Sequence, residues 1–505
     1  MTSDEPTTSA LRTSVRSPTR LLCLAVVLLA ALHCGQPAGP AAQGVVLVTV
    51  DTLRADHVGA YGYPRDTTPN LDALAKRGVL FRDVTVQWPK TWASMASVMT
   101  GRFPSTTGLR LRPRVLPEPL TVLSEVFADS GFETAAIVAN YNVGRSMGFQ
   151  QGFDHFVESW SEGWRDEAGD RVFVNAAGRV KAYTNARIVT DQALAWLEER
   201  DRSRPFFLWA HYMDPHGPYL PPDEYGALFD DTSAPHRVPL DRIPEYQHQN
   251  ENGRVIDDLV HYTAQYDRLI RYFDDEFGRL LAGLDALGHD RTLLAVTADH
   301  GESLDEHGYY LEHGFNAYQP TARVPLVIAH RKTIQGGLRI EAPIALIDLG
   351  PTLVQLAGIE PPASFEGRSH AAAVRGERAH VEARPIFMEA GYDIAASQRV
   401  IRDGPWKLVH IQSEEERSAL TGSEYELYDL RNDPGEGVNV ARWNPDVVTR
   451  LREQLEAFHA RDTRDEPGRE VDLEALPAQD RKMLEALGYL EAEPEAGEAT
   501  VEDTH

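Results

Sequence analysis

Five polar side chains that follow apolar, β-branched runs of the sequence form a donor set for a divalent cation. Asp51, Asn140 and Asp299 each come directly after such a run, and His300 is the next residue after Asp299. His216 follows within a few residues of another run. Two carboxylates and an imidazole make a mixed oxygen and nitrogen site that suits Ca²⁺, Mn²⁺ or Zn²⁺. A lone Asp after a strand is commonly a helix N-cap, so the prediction depends on these residues meeting in space.

The elements that must position these side chains form a mostly parallel α/β sheet sandwiched by helices. Short apolar runs indicate strands buried on both faces, and amphipathic helical stretches alternate with them. The predicted strands are residues 45–50, 134–139, 206–212, 292–298 and 325–330, and the predicted helices are residues 184–200 and 259–285. Because ligands of such sheets bind at the carboxyl ends of the strands, the five side chains are expected to converge there.

The stretch TWASMASVMTG predicts a tightly packed helix that begins with a hydroxyl group, that of Thr91. A helix N-terminus provides a positive field and free N–H groups, which suit an anionic ester such as a phosphate or a sulfate. A bound metal ion would lower the pKa of such a hydroxyl and turn it into a nucleophile. The residues alone leave a second interpretation open, in which Thr91 only caps the helix.

Composition excludes some partners and indicates export. A net charge of −26 over 505 residues argues against nucleic acid or an anionic membrane surface as the main partner. Arginines precede the apolar run at residues 21–32, which has the length of a signal-peptide core. Cys34 then stands where a lipoprotein cysteine would be attached to lipid. We expect a periplasmic or membrane-anchored protein; a plainly cleaved or retained leader and, less favoured, a buried core helix are the alternatives.

The domain organisation is predicted from changes in composition and pattern. Residues 1–34 are a signal peptide or lipoprotein leader, and residues 35–44 are a Pro/Gly/Ala linker. The large domain spans residues 45–375. A smaller α+β subdomain at residues 376–465 contains short alternating runs typical of an antiparallel sheet, with a helix near 446–460. Residues 466–505 are predicted to form a helix, at 476–491, and an acidic disordered tail.

From about residue 43 to about residue 439, the chain resembles the sulfatase family of the alkaline-phosphatase superfamily. The segment VLVTVDTLRADHVGAYGY resembles the family's first metal strand, and TPNLDALAKRGVLF (68–81) resembles the helix that follows. HYMDPHGPY, TADHGESLDEHG and YELYDLRNDPGEGVNVA resemble later blocks in the same order. The family's nucleophile segment, Cys/Ser-x-Pro-x-Arg, aligns with TWASMASVMTG. The resemblance therefore implies the fold of that family and its ester-cleaving activity.

Departures from the family pattern concern the nucleophile and the anion contacts. Thr91 takes the place of the Cys or Ser that becomes formylglycine, while Ala93 and Met95 replace the Pro and Arg that its maturation requires. No formylglycine is therefore expected. Thr52 replaces a second Asp of the first metal strand, and VANYNVG replaces a Gly-Lys-Trp-His motif. The remaining metal set resembles that of phosphonate monoester hydrolases within this family.

The resemblance implies one divalent metal ion, with Ca²⁺ as the general family's ion and Mn²⁺ or Zn²⁺ as alternatives. The implied metal ligands are Asp51, Thr91, Asp299 and His300. Thr91 attacks sulfur or phosphorus, and His216 or His313 protonates the leaving alcohol. Lys90 and Asn140 hold the oxygens of the anion.

The predicted function is the metal-dependent hydrolysis of sulfuric or phosphoric esters, either small or polymeric, by an unmodified threonine. One alternative is a phosphoryl-group transferase of the same superfamily, because a threonine ester can be released by attack of water or of a second alcohol. A second alternative is a non-catalytic relative that binds an anionic polymer.

Overall fold

The computed structural model describes part of the chain in detail. The described residues are 1–2, 42–110, 114–159, 186–230, 234–248, 256–330, 334–377, 381–391, 397–414 and 422–461. The predicted leader, Cys34, the helix at 476–491 and the acidic tail lie outside these residues. From Ala42 onward the described residues belong to one compact unit. Within the described ranges, no helix has both the length and the apolar character that a membrane span requires.

A nine-stranded mixed sheet forms the centre of this unit. Its strands are β1 (Gly44–Val50), β2 (Val79–Thr85), β3 (Glu133–Val138), β4 (His155–Glu158), β5 (Phe206–Tyr212), β6 (Thr292–Ala298), β7 (Arg323–Ala329), β8 (Leu338–Ile340) and β9 (Ile344–Ala345). The strand order is β4-β3-β5-β1-β6-β7-β2-β8, with β9 paired to β2. Strands β3, β5, β1 and β6 are parallel neighbours, whereas β7 runs antiparallel to both β6 and β2. The predicted mostly parallel sheet is confirmed.

Most of the described α-helices contribute buried apolar side chains to the core around this sheet, whereas the last one packs on a second sheet. They are α1 (Pro69–Arg77), α2 (Thr91–Thr100), α3 (Pro104–Thr107), α4 (Leu123–Asp129), α5 (Ala186–Glu199), α6 (Leu259–Ala286), α7 (Gln319–Ala322), α8 (Leu349–Leu356), α9 (Ala371–Val374) and α10 (Pro445–His459). One expectation was wrong in detail. Residues 68–81 are not all helix, because α1 ends before Gly78 and β2 begins at Val79.

A separate antiparallel sheet lies in the C-terminal part of the chain. Its strands, in the order β10-β11-β12-β13, are β10 (Ile386–Ala390), β11 (Gln398–Asp403), β12 (Trp406–Ile411) and β13 (Tyr425–Asp429). Leu451 and Leu455 of α10 pack on apolar residues of this sheet. The small antiparallel sheet with its helix agrees with the predicted fold class, and the predicted boundary near residue 375 stays a prediction.

Candidate active site

The strand order of the central sheet brings the predicted cation ligands to one edge. Asp51 directly follows β1, and Asp299 and His300 directly follow the neighbouring strand β6. Asn140 follows β3, which lies on the other side of β5. These four side chains are buried. The carboxyl ends of four adjacent parallel strands therefore define the site.

The ligand atoms of this group have the spacing expected around a single ion. His300 Nε2 lies 3.5 Å from Asp299 Oδ2, 3.8 Å from Asp51 Oδ1 and 3.3 Å from Thr91 Oγ1. Ligands about 2.0–2.4 Å from one ion lie roughly 3–4 Å from each other. The structure thus brings Asp51, Thr91, Asp299 and His300 together.

Each carboxylate has one oxygen held by the protein and one left for a cation. Asp51 Oδ2 accepts a hydrogen bond of 2.6 Å from Asn140 Nδ2. Asp299 Oδ1 accepts hydrogen bonds from the backbone N–H groups of His300 and Thr52, at 2.8 and 3.2 Å. The other oxygens, Asp51 Oδ1 and Asp299 Oδ2, have no hydrogen-bond partner among the described residues. Buried, unpaired carboxylate oxygens of this kind fit a divalent metal ion.

The electrostatics of the two carboxylates also favour a cation. Burial opposes ionisation of Asp51, but His216, His211 and His300 outweigh it and lower its pKa to about 2. Burial and then the neighbouring charge of Asp51 raise the pKa of Asp299 well above its ordinary value. Two carboxylates this close resist ionising together, and a divalent ion between them would remove that conflict.

His300 presents the nitrogen that a metal ligand needs. Its Nδ1–H donates to the carbonyl oxygen of Gly301 at 2.9 Å, so the neutral ring carries its lone pair on Nε2. Burial lowers the pKa of His300, which favours this neutral form. An imidazole anchored through its other nitrogen is the usual arrangement of a metal-binding histidine.

Thr91 lies at the start of α2 with its hydroxyl directed at His300. Lys90 has extended backbone angles and occupies the N-cap position, and Thr91 is the first helical residue. The interpretation of Thr91 as the cap is therefore wrong. All ten residues of α2 are buried, and Ser94 Oγ donates to the backbone oxygen of Asp299 at 2.5 Å. The small residues of the helix allow this close approach to the end of β6.

His216 and His313 join the same cluster. The ring centre of His313 lies 4.4 Å from that of His300 and 5.0 Å from that of His216. His216 Nδ1–H donates to the carbonyl oxygen of Gly217 at 2.7 Å, and its buried Nε2 has no hydrogen-bond partner within the described ranges. Burial lowers the pKa values of both His216 and His313. Both imidazoles are therefore close enough to the ligand cluster for proton transfer, and which one acts stays a prediction.

The two predicted anion contacts have different surroundings. Lys90 is buried, with its Nζ 5.4 Å from the ring centre of Trp92 and 5.5 Å from that of Phe315. Its stem passes over Gly314, which has a φ of +90° and where a Cβ atom would lie 2.1 Å from Lys90 Cε. Asn140 binds Asp51 through its Nδ2 and the backbone N–H of Asn142 through its Oδ1. Its amide thus holds the carboxylate of Asp51, and its contact with the anion stays a prediction.

The sequence did not predict the contacts that three further residues make at the site. The apolar run FFLWAHY predicts only a strand at His211, whereas in the structure His211 Nε2 lies 3.6 Å from Asp51 Oδ2. Glu302 anchors His313 Nδ1 at 3.0 Å and accepts from the hydroxyl of Tyr219 at 3.1 Å. The sequence marks Thr52 only as a departure from the family pattern, whereas in the structure its left-handed φ of 57° aims its N–H at Asp299. Glu302 is the last residue of the DHGE segment that contains Asp299 and His300, and this proximity was its signal in the sequence.

Comparison with known families agrees with this geometry. The model of the Sulfatase family matches residues 43–359, which is more than half of the chain. The chain belongs to the sulfatase family. A second model, for the C-terminal region of N-sulphoglucosamine sulphohydrolase, matches residues 305–461. The protein is therefore a sulfatase-like hydrolase of the alkaline-phosphatase superfamily.

Individual sulfatase relatives are distant but cover most of the chain. An N-acetylglucosamine-6-O-sulfatase of Bacteroides thetaiotaomicron is 23% identical, with 84% of this chain and 87% of the relative covered. A choline-sulfatase of Rhizobium meliloti is 28% identical, with 75% and 78% covered. The crystal structure of the phosphonate monoester hydrolase of Agrobacterium radiobacter has a TM-score of 0.65 at 21% identity, with 83% of this chain and 96% of that chain covered. This last likeness concerns the fold alone.

Proposed function

We propose that this sulfatase-family member cleaves sulfuric or phosphoric esters with the unmodified hydroxyl of Thr91 as nucleophile. The observation that carries the proposal is the contact of 3.3 Å between Thr91 Oγ1 and His300 Nε2, beside the unpaired oxygens of Asp51 and Asp299. A hydroxyl at this position can share a cation with the two carboxylates and the imidazole. It is also the first residue of a helix, where free N–H groups favour an anion.

The chain's own residues supply the steps of the reaction. The Thr91 hydroxyl gives up its proton as its oxygen forms a bond to sulfur or phosphorus in line with the departing alcohol, and the bond to that alcohol breaks. His216, or alternatively His313, takes up that proton on its free ring nitrogen and passes it to the alcohol oxygen. The Lys90 ammonium and the N-terminal N–H groups of α2 offset the charge on the other oxygens. When bound, the metal ion would lower the pKa of the Thr91 hydroxyl.

Release of the Thr91 ester requires a molecule that accepts the sulfuryl or phosphoryl group. This requirement affects whether sulfuric or phosphoric esters are the better substrates. A formylglycine enzyme can release sulfate by breakdown of a hemiacetal, whereas a threonine ester must be attacked at sulfur or phosphorus. Attack by water gives a hydrolase. Attack by a second alcohol gives the alternative activity, a phosphoryl-group transferase. This difference makes phosphoric esters more plausible substrates here than in a sulfatase that carries formylglycine.

The metal is proposed to be a single divalent ion bound by Asp51, Thr91, Asp299 and His300. Ca²⁺ is the ion that general family membership implies. Three oxygens and one imidazole nitrogen also suit Mn²⁺ or Zn²⁺, which accept nitrogen ligands more readily than Ca²⁺ does. The replacement of a second Asp by Thr52 reduces the number of oxygen ligands and makes this alternative worth testing.

A substrate panel tests the proposed chemistry. The purified full chain is treated with a chelator and then supplied separately with Ca²⁺, Mn²⁺ or Zn²⁺. Turnover of p-nitrophenyl sulfate, p-nitrophenyl phosphate, bis-p-nitrophenyl phosphate and a p-nitrophenyl phosphonate is then measured. We expect turnover of at least one ester, its loss on chelation and its recovery with one of the ions. Turnover that is unchanged by chelation would contradict the metal-dependent mechanism, and binding of an anionic polymer without any turnover would favour a non-catalytic role.

We also propose that the protein is exported. The arginines before the apolar run at residues 21–32 and the position of Cys34 support this proposal. Fractionation of cells that express the full chain, followed by mass spectrometry of its N-terminus, separates the options. A lipid-modified Cys34 at the N-terminus indicates an anchored lipoprotein. A new N-terminus at another residue, before or after Cys34, indicates a cleaved leader without a lipid anchor. Full-length protein confined to the cytosol contradicts export.

A further inference from the structure

A chain of buried side chains on two neighbouring strands leads from the interior of the sheet to Asp51. Thr49 of β1 and His211 of β5 are paired in the register of these parallel strands. Trp209 Nε1–H donates to Thr49 Oγ1 at 2.9 Å, and Thr49 Oγ1 lies 2.8 Å from His211 Nδ1. His211 Nε2 then lies 3.6 Å from Asp51 Oδ2. All four side chains are fully buried.

The donors and acceptors of this chain fix which nitrogen of His211 carries its proton. The indole of Trp209 can only donate, so Thr49 Oγ1 is the acceptor in that contact. The hydroxyl proton of Thr49 needs an acceptor of its own, and His211 Nδ1 lies in hydrogen-bond reach. Thr49 therefore donates to Nδ1, and this hydrogen bond leaves Nε2 as the nitrogen that carries the ring proton. That N–H faces the carboxylate of Asp51.

The Nε2–H of His211 and the amide of Asn140 approach the same oxygen of Asp51. Asn140 Nδ2 donates to Oδ2 at 2.6 Å, while Oδ1 has no hydrogen-bond partner in the described part of the chain. The contact of 3.6 Å from His211 is longer than a hydrogen bond, and a shift of about 0.5 Å would make it one. With Asn140 on Oδ2, Oδ1 lies 3.8 Å from His300 Nε2, and a second donor on Oδ2 would hold the carboxylate in this orientation.

We propose that His211 is a positioning residue for the cation site and that Trp209 and Thr49 hold it in the required tautomer. We call Trp209, Thr49 and His211 the β1–β5 relay. The proposal rests on the metal site of the proposed function, and it adds residues outside the implied ligand set. Partners behind a metal ligand typically change metal affinity by 10–100-fold when they are removed, because they fix the orientation and the basicity of that ligand.

A competing arrangement would make His211 itself a ligand. Three possible ligand atoms, one from each of Asp51, His211 and Asp299, lie within 4.8 Å of one another. Direct ligation requires a lone pair on His211 Nε2 and hence a proton on Nδ1. Thr49 Oγ1 would then accept from both Trp209 and His211, and its own buried proton would lose the acceptor that His211 Nδ1 now provides. The hydrogen bonds of the relay favour the positioning role over this arrangement.

Substitutions at His211 distinguish the two roles through metal affinity rather than activity. The full-length protein is stripped with a chelator, and binding of Mn²⁺, Ca²⁺ and Zn²⁺ is measured separately by titration calorimetry. His211→Gln places an amide N–H near the position of Nε2 and can still donate to Asp51. His211→Leu has no donor. We expect His211→Leu to weaken binding of the preferred ion by about 10–100-fold, whereas His211→Gln keeps most of the wild-type affinity.

A matched pair at Thr49 tests the tautomer without altering the imidazole. Thr49→Ser keeps the hydroxyl and should bind the ion as the wild type does. Thr49→Val keeps the shape but removes the donor to His211 Nδ1, and it should weaken binding in the same direction as His211→Leu. Thr190→Val is the control, because Thr190 is a buried threonine whose hydroxyl contacts the hydroxyl of Tyr212 and the backbone oxygen of Glu276, and neither group belongs to the proposed site. Its metal affinity should be unchanged.

The possible results separate the relay from the metal site itself. If His211→Gln binds as weakly as His211→Leu, the imidazole acts as a ligand and the positioning role is overturned. Equal affinities in the wild type and all four relay variants would overturn the relay alone. If the wild type binds none of the three ions, the proposed metal site fails and the relay fails with it.

Discussion

The hydroxyl of Thr91 is the group on which the proposed chemistry depends, and its removal should separate catalysis from folding. Thr91→Ala removes the nucleophile and a proposed metal ligand, so turnover should fall by on the order of 10³-fold or more. Among the described residues the lost hydroxyl contacts His300 at 3.3 Å, so the free energy of unfolding should change by only about 1 kcal/mol. Turnover under saturating substrate and unfolding in urea measure the two effects.

Companion variants make the test of Thr91 specific. Thr91→Ser keeps a hydroxyl and should retain part of the turnover, and Thr91→Cys should show no formylglycine by mass spectrometry because Ala93 and Met95 remain. Thr100→Ala is the control at the other end of the same helix, where Oγ1 donates to the Ala96 carbonyl at 2.7 Å, and it should keep its activity. Wild-type turnover in Thr91→Ala on every ester that the parent cleaves would refute the nucleophile.

His216 and His313 can be distinguished by the leaving group of the substrate. A general acid matters most when the departing alcohol is a poor leaving group, and such catalysis contributes about 10²–10⁴-fold. Replacing the acid by alanine should therefore reduce turnover of an alkyl ester strongly and that of a p-nitrophenyl ester much less. Comparing His216→Ala with His313→Ala on both esters identifies the residue. Equal losses on the two esters in both variants would mean that neither imidazole protonates the alcohol.

The sequence predicted Asp51, Asp299 and His300 as cation ligands because they follow strands, and Thr91 through the family resemblance, but it could not predict their supporting partners. Asp51 and Asp299 are strand-terminal, and their meeting depends only on parallel strands being neighbours. His211 lies inside a strand, and its role depends on β5 lying directly beside β1 with Thr49 opposite it. That register is a property of the folded sheet, set by packing among distant segments. A buried histidine in an apolar run therefore carries no local signal of its function.

At the scale of elements, the small C-terminal sheet holds the loop that bears His313. Ala317 is bound through both backbone groups, since its N–H donates to Gln398 Oε1 at 3.0 Å and its carbonyl accepts from Lys407 Nζ at 2.6 Å. The backbone N–H of Gly391 donates to the carbonyl of Gly314, next to His313, at 3.0 Å. Residues of β11 and β12, together with Gly391 directly after β10, thus bind the main chain just C-terminal to His313.

A buried ion pair at this junction should matter for stability. Lys407 of β12 pairs with Glu436, and both side chains are almost completely buried. Lys407→Met would leave the Glu436 carboxylate buried without its cation, which typically costs about 3–5 kcal/mol. The double variant Lys407→Met/Glu436→Gln should recover part of this loss. Urea denaturation measures both, and a single variant as stable as the wild type would contradict the argument.

An exposed pair provides the control for this prediction. Arg452 and Glu456 lie one turn apart on α10, 3.6 Å from each other, with side chains 43% and 67% exposed. Pairs of this kind contribute about 0.3–0.5 kcal/mol. Arg452→Met should therefore leave the denaturation midpoint nearly unchanged, and a loss as large as that of Lys407→Met would indicate a general effect of removing charge.

Among the elements, those with a continuous apolar pattern were predictable and those with mixed patterns were not. Strands β5 and β6 have the predicted bounds, 206–212 and 292–298. Strand β2 is interrupted by Arg82 and Asp83, and β11 reads QRVIRD, so neither has a pattern that distinguishes it from a loop. Their strand structure comes from neighbours. β2 lies between β7 and β8, and β11 between β10 and β12.

For the molecule as a whole, the strongly acidic charge is compatible with the proposed binding of an anionic ester because the site is locally different. The chain has a net charge of −26. At the site, however, Lys90 interacts electrostatically with His216, His300 and His313 and occupies the N-cap of α2, while Asp51 and Asp299 each leave one oxygen for the proposed cation. The net charge of the chain therefore gives little information about the substrate. The charges next to the site determine which ligands it can bind.

The whole folded chain should be stabilised by the metal ion that its site prefers. Binding to the folded state alone adds a free energy of RT ln(1 + [L]/Kd), which is about 2.7 kcal/mol when the free ion is at 100 times its Kd. The melting temperature of the chelator-treated protein should therefore rise steadily with the concentration of the preferred ion. Asp299→Asn removes one ligand charge and should weaken that dependence, although it also relieves the repulsion between Asp299 and Asp51. A variant more stable than the wild type without metal and less responsive with it would match both effects. Identical melting temperatures at every concentration of Ca²⁺, Mn²⁺ and Zn²⁺ would contradict a cation bound by these two carboxylates.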